Sequence, residues 1–160
     1  MSDKPAVDTL LADLQGVQQK IKQCAEKVGR DASDICLIAV SKTRSLEEVE
    51  SLLSLEQHVF GENTIQDSMT KIPFVNHNEV EWHFIGHLQS KKAGKLPGYF
   101  QWIHSVDSIK LAQKLSTAMS NKSKNSVLNC LIQVNVSGES SKSGLMPEQV
   151  KPYLKQVLEL

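Results

Sequence analysis

Apolar and polar residues follow one another along the chain with two different periods. Between residues 7 and 28 apolar residues recur every three or four positions, which predicts an amphipathic helix. The apolar run at residues 35–40 is short and rich in branched side chains, so it predicts a strand buried on both faces, as in a parallel sheet. Ser45 and Glu48 have the spacing of a capping box, which predicts a second helix over residues 46–55.

The same order of strand, polar loop and helix repeats along the rest of the chain. Each later strand ends in a polar or glycine-containing loop and is followed by a segment with helical periodicity. Strands that alternate with helices imply a parallel sheet, so the predicted fold class is α/β. The later strands are predicted at residues 58–60, 80–85, 101–106 and 128–136, and the later helices at residues 65–72, in a lysine-rich stretch after residue 87, at residues 109–119 and after Pro147.

Two α/β architectures fit this series of strand–helix units. A parallel (β/α) barrel has eight strands, so residues 1–160 would form a single incomplete barrel domain, the N-terminal part of a longer protein with about three C-terminal units missing. A complete open sheet of five strands, of the flavodoxin type, has about the same length. The apolar pattern gives these two architectures equal weight.

Side chains alternate between the two faces of a strand, which indicates the polar residues that share a face. In the third strand the bulky Trp82 and Phe84 suit packing under helices, and this leaves His83 on the opposite, inner face. Proteins of this class place their sites at the carboxyl ends of parallel strands. The polar residues predicted near that end of the inner face are Lys42, Asn63, His83, Ser105, Gln133 and Asn135.

Lys42 carries the most specific chemistry of this group. An amine at the end of a buried strand is expected to be partly desolvated, which lowers its pKa. A neutral amine attacks an aldehyde to form a Schiff base, and pyridoxal phosphate (PLP) is the common aldehyde cofactor held in this way. For a lysine taken by itself, a solvated strand end is the more frequent situation.

Composition argues against several classes of function. The 18 Lys and Arg balance the 18 Asp and Glu, and aromatic residues make up 5% of the chain, whereas nucleic-acid-binding proteins are usually basic and often use stacking aromatic side chains. No apolar stretch approaches the roughly 18 residues that cross a bilayer, so no membrane partner is expected. Cys24, Cys36 and Cys130 form no CxxC pair, so we interpret them as reduced thiols of a cytoplasmic protein and expect no metal site.

Five sequence motifs occur in the order in which one known family carries them. They are LIAVSKT at residues 37–43, FGEN at residues 60–63, WHFIGHLQS at residues 82–90, HSVDS at residues 104–108, and QVNV at residues 133–136 with SKSG at residues 141–144. By these motifs the chain resembles the pyridoxal phosphate homeostasis protein family over about residues 7–150. That family is itself similar to the N-terminal barrel of bacterial alanine racemase.

The resemblance implies a barrel of the alanine racemase N-terminal type that carries pyridoxal 5'-phosphate as a Schiff base on Lys42. It implies that Asn63 lies beside the cofactor and that His83 lines the pocket. Ser105 and Asn135 are further candidates for cofactor binding, because the alternation of side chains predicts them on the same inner face. The family is regarded as carriers or regulators of this vitamin B6 cofactor without established catalysis. The full-length protein is expected to be monomeric, with PLP-dependent apo-enzymes as candidate recipients of PLP.

The chain departs from the family pattern at the rim and in length. Residues 64–67 read TIQD where the family usually has YVQE, and Lys91 stands where it usually has Asn. The family also continues further, with a serine-rich phosphate-binding loop and an Arg–Gly segment. Because phosphate sites need several N–H donors and open sheet edges favour pairing, we expect the 160-residue chain to retain PLP weakly and either to be marginally stable or to pair with another copy.

An amino-acid racemase that acts through the same lysine is the alternative function. Racemisation needs a base on each face of a planar carbanion, and Lys42 would supply one of them. Tyr99 and Tyr153 are the two tyrosines of the chain, and neither lies in a motif that matches the second base of alanine racemase. This favours the binding function, and a flavodoxin-like module for another ligand is the third interpretation.

Overall fold

Five strands of the computed structural model form one parallel sheet in the order β1-β2-β3-β4-β5. The structure describes residues 7–76, 78–122 and 126–160. This arrangement confirms the predicted α/β class and the predicted parallel sheet. The strands are β1 (Ala39–Val40), β2 (Val59–Glu62), β3 (Glu81–Phe84), β4 (Trp102–Val106) and β5 (Asn129–Ile132).

Helical segments precede the sheet and connect its strands. The lysine-rich stretch forms a 3₁₀ helix, Ser90–Lys95, rather than an α-helix. The helix predicted at residues 65–72 ends early and is followed by a 3₁₀ turn containing Pro73, which has no N–H with which to continue an α-helix. The α-helices are α1 (Val7–Lys27), α2 (Leu46–Leu53), α3 (Ile65–Ser68), α4 (Ile109–Ser120) and α5 (Val150–Val157), and the 3₁₀ helices are Ala32–Asp34, Ile72–Phe74, Ser90–Lys95 and Pro147–Gln149.

The strand order distinguishes the two architectures that the sequence left open. In the flavodoxin order, 2-1-3-4-5, the first strand lies between the second and the third. Here β2 pairs directly with β3, and each strand lies beside its predecessor in the chain. Sequential order is that of a (β/α) barrel, so the barrel-type prediction is confirmed and the flavodoxin-type alternative is wrong.

The outer face of the sheet packs against the helices and forms the core. The Phe60 and Trp82 rings lie 5.4 Å apart on β2 and β3, and Trp82 is completely buried. Phe84 meets the ring of Phe100 edge-on, also at 5.4 Å. Leu111 on α4 belongs to the same buried cluster. The prediction that Trp82 and Phe84 pack under helices is therefore confirmed.

The strands at the two edges of the sheet are shorter and more exposed than predicted. β1 spans two residues instead of six, Val40 is 49% exposed and Cys36 is exposed, so the prediction of a strand buried on both faces is wrong. β5 ends at Ile132 and Val136 is 81% exposed, so the prediction of a strand that reaches residue 136 is also wrong. Both strands are edge strands, and a continuous apolar run does not by itself show whether the second face of the strand is covered.

The predicted capping box at the start of α2 is present. The Ser45 hydroxyl accepts a hydrogen bond from the Glu48 N–H at 3.3 Å, and the Glu48 carboxylate accepts one from the Ser45 N–H at 2.7 Å. This cap fixes the start of α2 shortly after the Lys42 turn. Among the residues that the structure describes, no helix combines the length and the hydropathy needed to cross a membrane.

Candidate functional site

Lys42 lies in a turn that directly follows β1. The Ser41 N–H donates to the Gly61 carbonyl at 3.0 Å, so the ladder with β2 reaches the residue before Lys42. The Lys42 side chain is exposed, and the expectation of a partly desolvated amine is wrong in this structure. The physical reason is that the inner side of β1 is uncovered in the described part of the chain, as the exposure of Val40 also shows.

The Lys42 turn has a backbone conformation that its own residues do not favour. Thr43 has a φ of 64°, in the left-handed region, where a β-branched side chain is an outlier. The Thr43 N–H donates to the Asp67 carboxylate at 2.8 Å, and the Ser41 hydroxyl donates to the Glu62 carboxylate at 2.6 Å. Residues of β2 and α3 therefore hold both neighbours of Lys42.

A buried ion pair lies directly beneath this turn. Lys71 and Glu62 are both completely buried, and their Nζ and Oε1 atoms are 2.7 Å apart. The Lys71 ammonium also donates to the Ser41 carbonyl at 2.8 Å and to the Asp67 carboxylate at 3.0 Å. All three of its donors are thus used, which leaves Lys71 structural and Lys42 as the accessible amine of the two.

The two carboxylates of this network have pKa values shifted in opposite directions. Burial raises the pKa of Glu62, although the Lys71 ammonium and the Ser41 hydroxyl partly oppose that effect. Partial burial acts to raise the pKa of Asp67 too, but hydrogen bonds from the Thr43 N–H and Lys71 outweigh it and hold this pKa below its usual value. Sequence reasoning missed the network, since nothing in the sequence around Lys71 distinguishes it from an exposed lysine.

Asn63 follows β2 on the strand next to Lys42 and is partly buried. A cleft of about 100 Å³ beside it is lined by residues of the β2 and β3 ends, among them Phe84 and His87. Gly86 makes this close approach of the two strand ends feasible, because a Cβ at Gly86 would overlap the Asn63 carbonyl and lie 2.8 Å from its Cα.

His83 is buried, at 4% exposure, in a chain of polar and aromatic groups. Its Nδ1 lies 2.8 Å from His104 Nε2, and its Nε2 lies 2.9 Å from a carboxylate oxygen of Glu81. Its ring is parallel to that of Trp102, at a centroid distance of 5.6 Å. Burial, and to a smaller extent the nearby His83, lowers the pKa of His104.

His104 is a residue that sequence reasoning missed. Alternation along the third strand correctly separates His83 from Trp82, and the same rule applied to the fourth strand separates His104 from the buried Ile103. The signal was therefore present in the fourth motif, in which His104 is the first residue. We read the two histidines as one hydrogen-bonded pair in which one of the two facing nitrogens carries the proton.

Ser105 lies where the pairing between β4 and β5 is irregular. The register shifts between Ile103 and Val106, which places an extra residue in β4. The Ser105 hydroxyl is buried and has no hydrogen-bond partner among the described residues. The role of Ser105 in cofactor binding therefore stays a prediction.

Asn135 holds the loop that follows β5. Its amide nitrogen donates to the Glu139 carbonyl at 3.0 Å, and its side-chain oxygen accepts from the Gly138 N–H at 3.1 Å. Gln133 acts similarly, with its amide nitrogen donating to the Ser143 carbonyl at 3.1 Å. Because β1 and β5 are the two edge strands, the structure does not bring Lys42 and Asn135 together.

The described residues do not form a cluster of side chains suited to bind a metal ion. Within residues 7–76, 78–122 and 126–160, no three His, Cys, Asp or Glu side chains are grouped so as to hold a metal ion. The three cysteines are free and exposed.

Comparisons with known proteins agree with the strand order and the motifs. No family model matches the chain. The pyridoxal phosphate homeostasis protein of Pseudomonas aeruginosa is 37% identical over 154 residues, covering 96% of this chain and 66% of that protein. The protein of the same name from Escherichia coli K12 is 36% identical over 151 residues, covering 92% of this chain and 64% of that protein. The chain thus spans about two thirds of the length of these curated relatives.

Solved structures show the same fold. PipY of Synechococcus elongatus without PLP matches 88% of this chain and 65% of its own, with a TM-score of 0.73 and 30% identity. PipY with PLP bound matches 88% of this chain and 64% of its own, with a TM-score of 0.67 and 29% identity. Sequence identity over nearly the whole chain and a shared fold lead to one conclusion: the chain belongs to the pyridoxal phosphate homeostasis protein family.

Proposed function

We propose that this chain binds pyridoxal phosphate through the Lys42 amine and serves in the homeostasis of that cofactor without catalysing a reaction. The observation that carries the proposal is the structural match to PipY with PLP bound. It is supported by the curated relatives, whose name describes PLP homeostasis. Lys42 is the residue assigned to the attachment because it follows β1 in the lysine motif and its side chain is accessible.

The residues at this end of the sheet fit such a cofactor. PLP supplies an aldehyde, which a neutral amine attacks with release of water. Within the described residues Lys42 has no hydrogen-bond or ion-pair partner, so its amine is uncommitted. Asn63 supplies an amide that both donates and accepts, and the orphaned Ser105 hydroxyl supplies a further polar group.

His83 and Asn135 have supporting roles in this proposal. Both ring nitrogens of His83 lie within hydrogen-bonding distance of His104 and Glu81. His83 can therefore hold a proton within the sheet, but it has no free nitrogen with which to bind a ligand. Asn135 orders the loop after β5. We therefore rank Lys42 and Asn63 above His83, Ser105 and Asn135 as direct cofactor contacts.

The proposal extends to location and partners. A cytoplasmic location agrees with three free, exposed thiols, because oxidising compartments favour disulfides. PLP-dependent apo-enzymes are the partners that a PLP reserve would serve. We further propose that the full-length protein acts as a monomer and that any association of the 160-residue chain occurs through its edge strands.

The positions of the tyrosines support binding over racemisation. The Tyr153 side chain is buried and its hydroxyl donates to the Ser108 carbonyl at 3.3 Å. Tyr99 lines a groove beside Met69 and Lys92. Lys42 is not among the residues that line the Tyr99 groove, and the Tyr153 hydroxyl is held inside the core, which supports binding over racemisation.

Titration with PLP tests the proposed function. The 160-residue chain is expected to develop the absorbance band of a lysine-bound cofactor, and Lys42→Ala is expected to lose that band and to lower the apparent affinity by at least about tenfold. Lys151→Ala is the matched control, because Lys151 is an exposed lysine on α5. An unchanged band in Lys42→Ala would contradict the assignment of Lys42.

A further inference from the structure

Both neighbours of Lys42 are held by three side chains, those of Glu62, Asp67 and Lys71. The Ser41 carbonyl accepts from the Lys71 ammonium at 2.8 Å, and the Ser41 hydroxyl donates to Glu62 at 2.6 Å. On the other side, the Thr43 N–H donates to Asp67 at 2.8 Å. The backbone is therefore fixed immediately before and immediately after the lysine.

The Lys42 turn needs such external support. Thr43 has a φ of 64°, and the left-handed region is unfavourable for a β-branched residue. The Arg44 N–H donates to the Ser41 carbonyl at 3.0 Å, which closes the turn but does not remove this strain. A strained conformation persists only where the surrounding structure determines it, and here the surrounding groups are Asp67, Lys71 and Glu62.

The three side chains form one unit that begins in the core and ends at the surface. Glu62 and Lys71 are completely buried, whereas the Asp67 side chain is 28% exposed. Asp67 lies in α3, and its own N–H donates to the Thr64 hydroxyl at 3.3 Å, which caps the helix. One oxygen of Asp67 accepts from both Lys71 and Thr43, so it links the ion pair to the turn.

We propose that Asp67, anchored by the buried Lys71–Glu62 pair, is a positioning residue that sets the direction in which Lys42 leaves the sheet. This inference rests on the proposed function, because it assigns Asp67 a role in presenting the PLP-binding amine. Asp67 does not touch the cofactor in this proposal. It acts through the Thr43 backbone, and its effect on PLP binding follows from the geometry of the turn.

Three variants distinguish a positioning role of Asp67 from a general loss of protein stability. Asp67→Ala removes the acceptor for Thr43, whereas Asp67→Asn keeps an oxygen that can accept from both Thr43 and Lys71. Thr64→Ala is the matched control, since it removes the α3 cap and leaves the Thr43 contact in place. If Asp67→Ala does not fold, Asp67→Ser replaces it, because the serine hydroxyl stops one atom short of the carboxylate oxygen that accepts from Thr43.

Two measurements on each variant test whether Asp67 holds the Lys42 turn and whether that turn affects PLP binding. The first is hydrogen exchange at the Thr43 amide, followed by NMR without any cofactor, and the second is the apparent affinity for PLP. We expect Asp67→Ala to lose most of the Thr43 protection and about tenfold in affinity, while Asp67→Asn recovers both. Thr64→Ala is expected to lower the melting temperature about as much as Asp67→Ala does. Its affinity for PLP is expected to stay within about twofold of the parent.

The outcomes distinguish this inference from the proposed function. If Lys42→Ala loses PLP binding but Asp67→Ala binds PLP as well as the parent, the positioning role is wrong and the proposed function stands. If Lys42→Ala binds PLP normally, the proposed function is wrong. The exchange of the Thr43 amide then still decides whether Asp67 holds the turn, because that measurement uses no cofactor.

Discussion

Replacing Lys71 by methionine is expected to lower the free energy of unfolding by about 3–5 kcal/mol, because it leaves Glu62 buried without its partner. The two residues are completely buried and their charged atoms are 2.7 Å apart. A matched control is Lys151→Met, which makes the same change at an exposed position of α5. Urea unfolding followed by circular dichroism measures both variants.

Two further results would show that the loss comes from the uncompensated carboxylate. The double variant Glu62→Gln with Lys71→Met is expected to recover most of the stability, since no buried charge is left unpaired.

Lys71→Met alone should also become more stable as the pH falls from 7 towards 5. Burial holds the folded pKa of Glu62 above its unfolded value, so protonation favours the folded state, and that advantage is lost as the pH rises. A loss of less than about 1 kcal/mol would contradict the account of the network.

Replacing Gly86 by alanine is expected to lower the free energy of unfolding by about 2–3 kcal/mol. A Cβ at this position would overlap the Asn63 carbonyl, which belongs to the backbone and cannot rotate away as a flexible side chain could. The two strand ends must therefore separate, so the variant should also bind PLP more weakly by displacing Asn63.

The matched control for Gly86→Ala is Gly16→Ala on α1. A Cβ at Gly16 would meet nothing within 4 Å, and alanine is favoured over glycine inside a helix by about 0.5–1 kcal/mol. Gly16→Ala is therefore expected to raise stability. If both alanine variants changed stability in the same direction, close backbone contact at Gly86 would not be the cause.

Local patterns predicted the order of strands and helices but not the length of every element, because a pattern of this kind depends only on features that lie close together in sequence. The Ser45 and Glu48 capping box follows from the spacing of a few residues, and so does the alternation by which His83 contacts Trp102 while Trp82 contacts Phe60. The strand order could not be obtained in this way, since helical and strand periods are the same in both parallel architectures. It became clear only from the direct pairing of β2 with β3.

The candidate site was predicted in part for the same reason. Lys42 and Asn63 lie at strand ends, where the class of fold places functional residues. The burial of Lys71, the pairing of His83 with His104 and the loop contacts of Asn135 each depend on residues 4 to 30 positions away. A period of two or of 3.6 residues carries no information on such contacts.

Reduction with borohydride after incubation with PLP, followed by peptide mass spectrometry, tests the central claim that Lys42 is the attachment point. Reduction makes the bond between amine and cofactor permanent, so even weakly held PLP is recorded. The proposed function predicts a phosphopyridoxyl group on Lys42 at PLP concentrations too low to label the other exposed lysines, and its loss in Lys42→Arg without transfer to other residues. A label spread evenly over the exposed lysines, and equally abundant in Lys42→Arg, would contradict it.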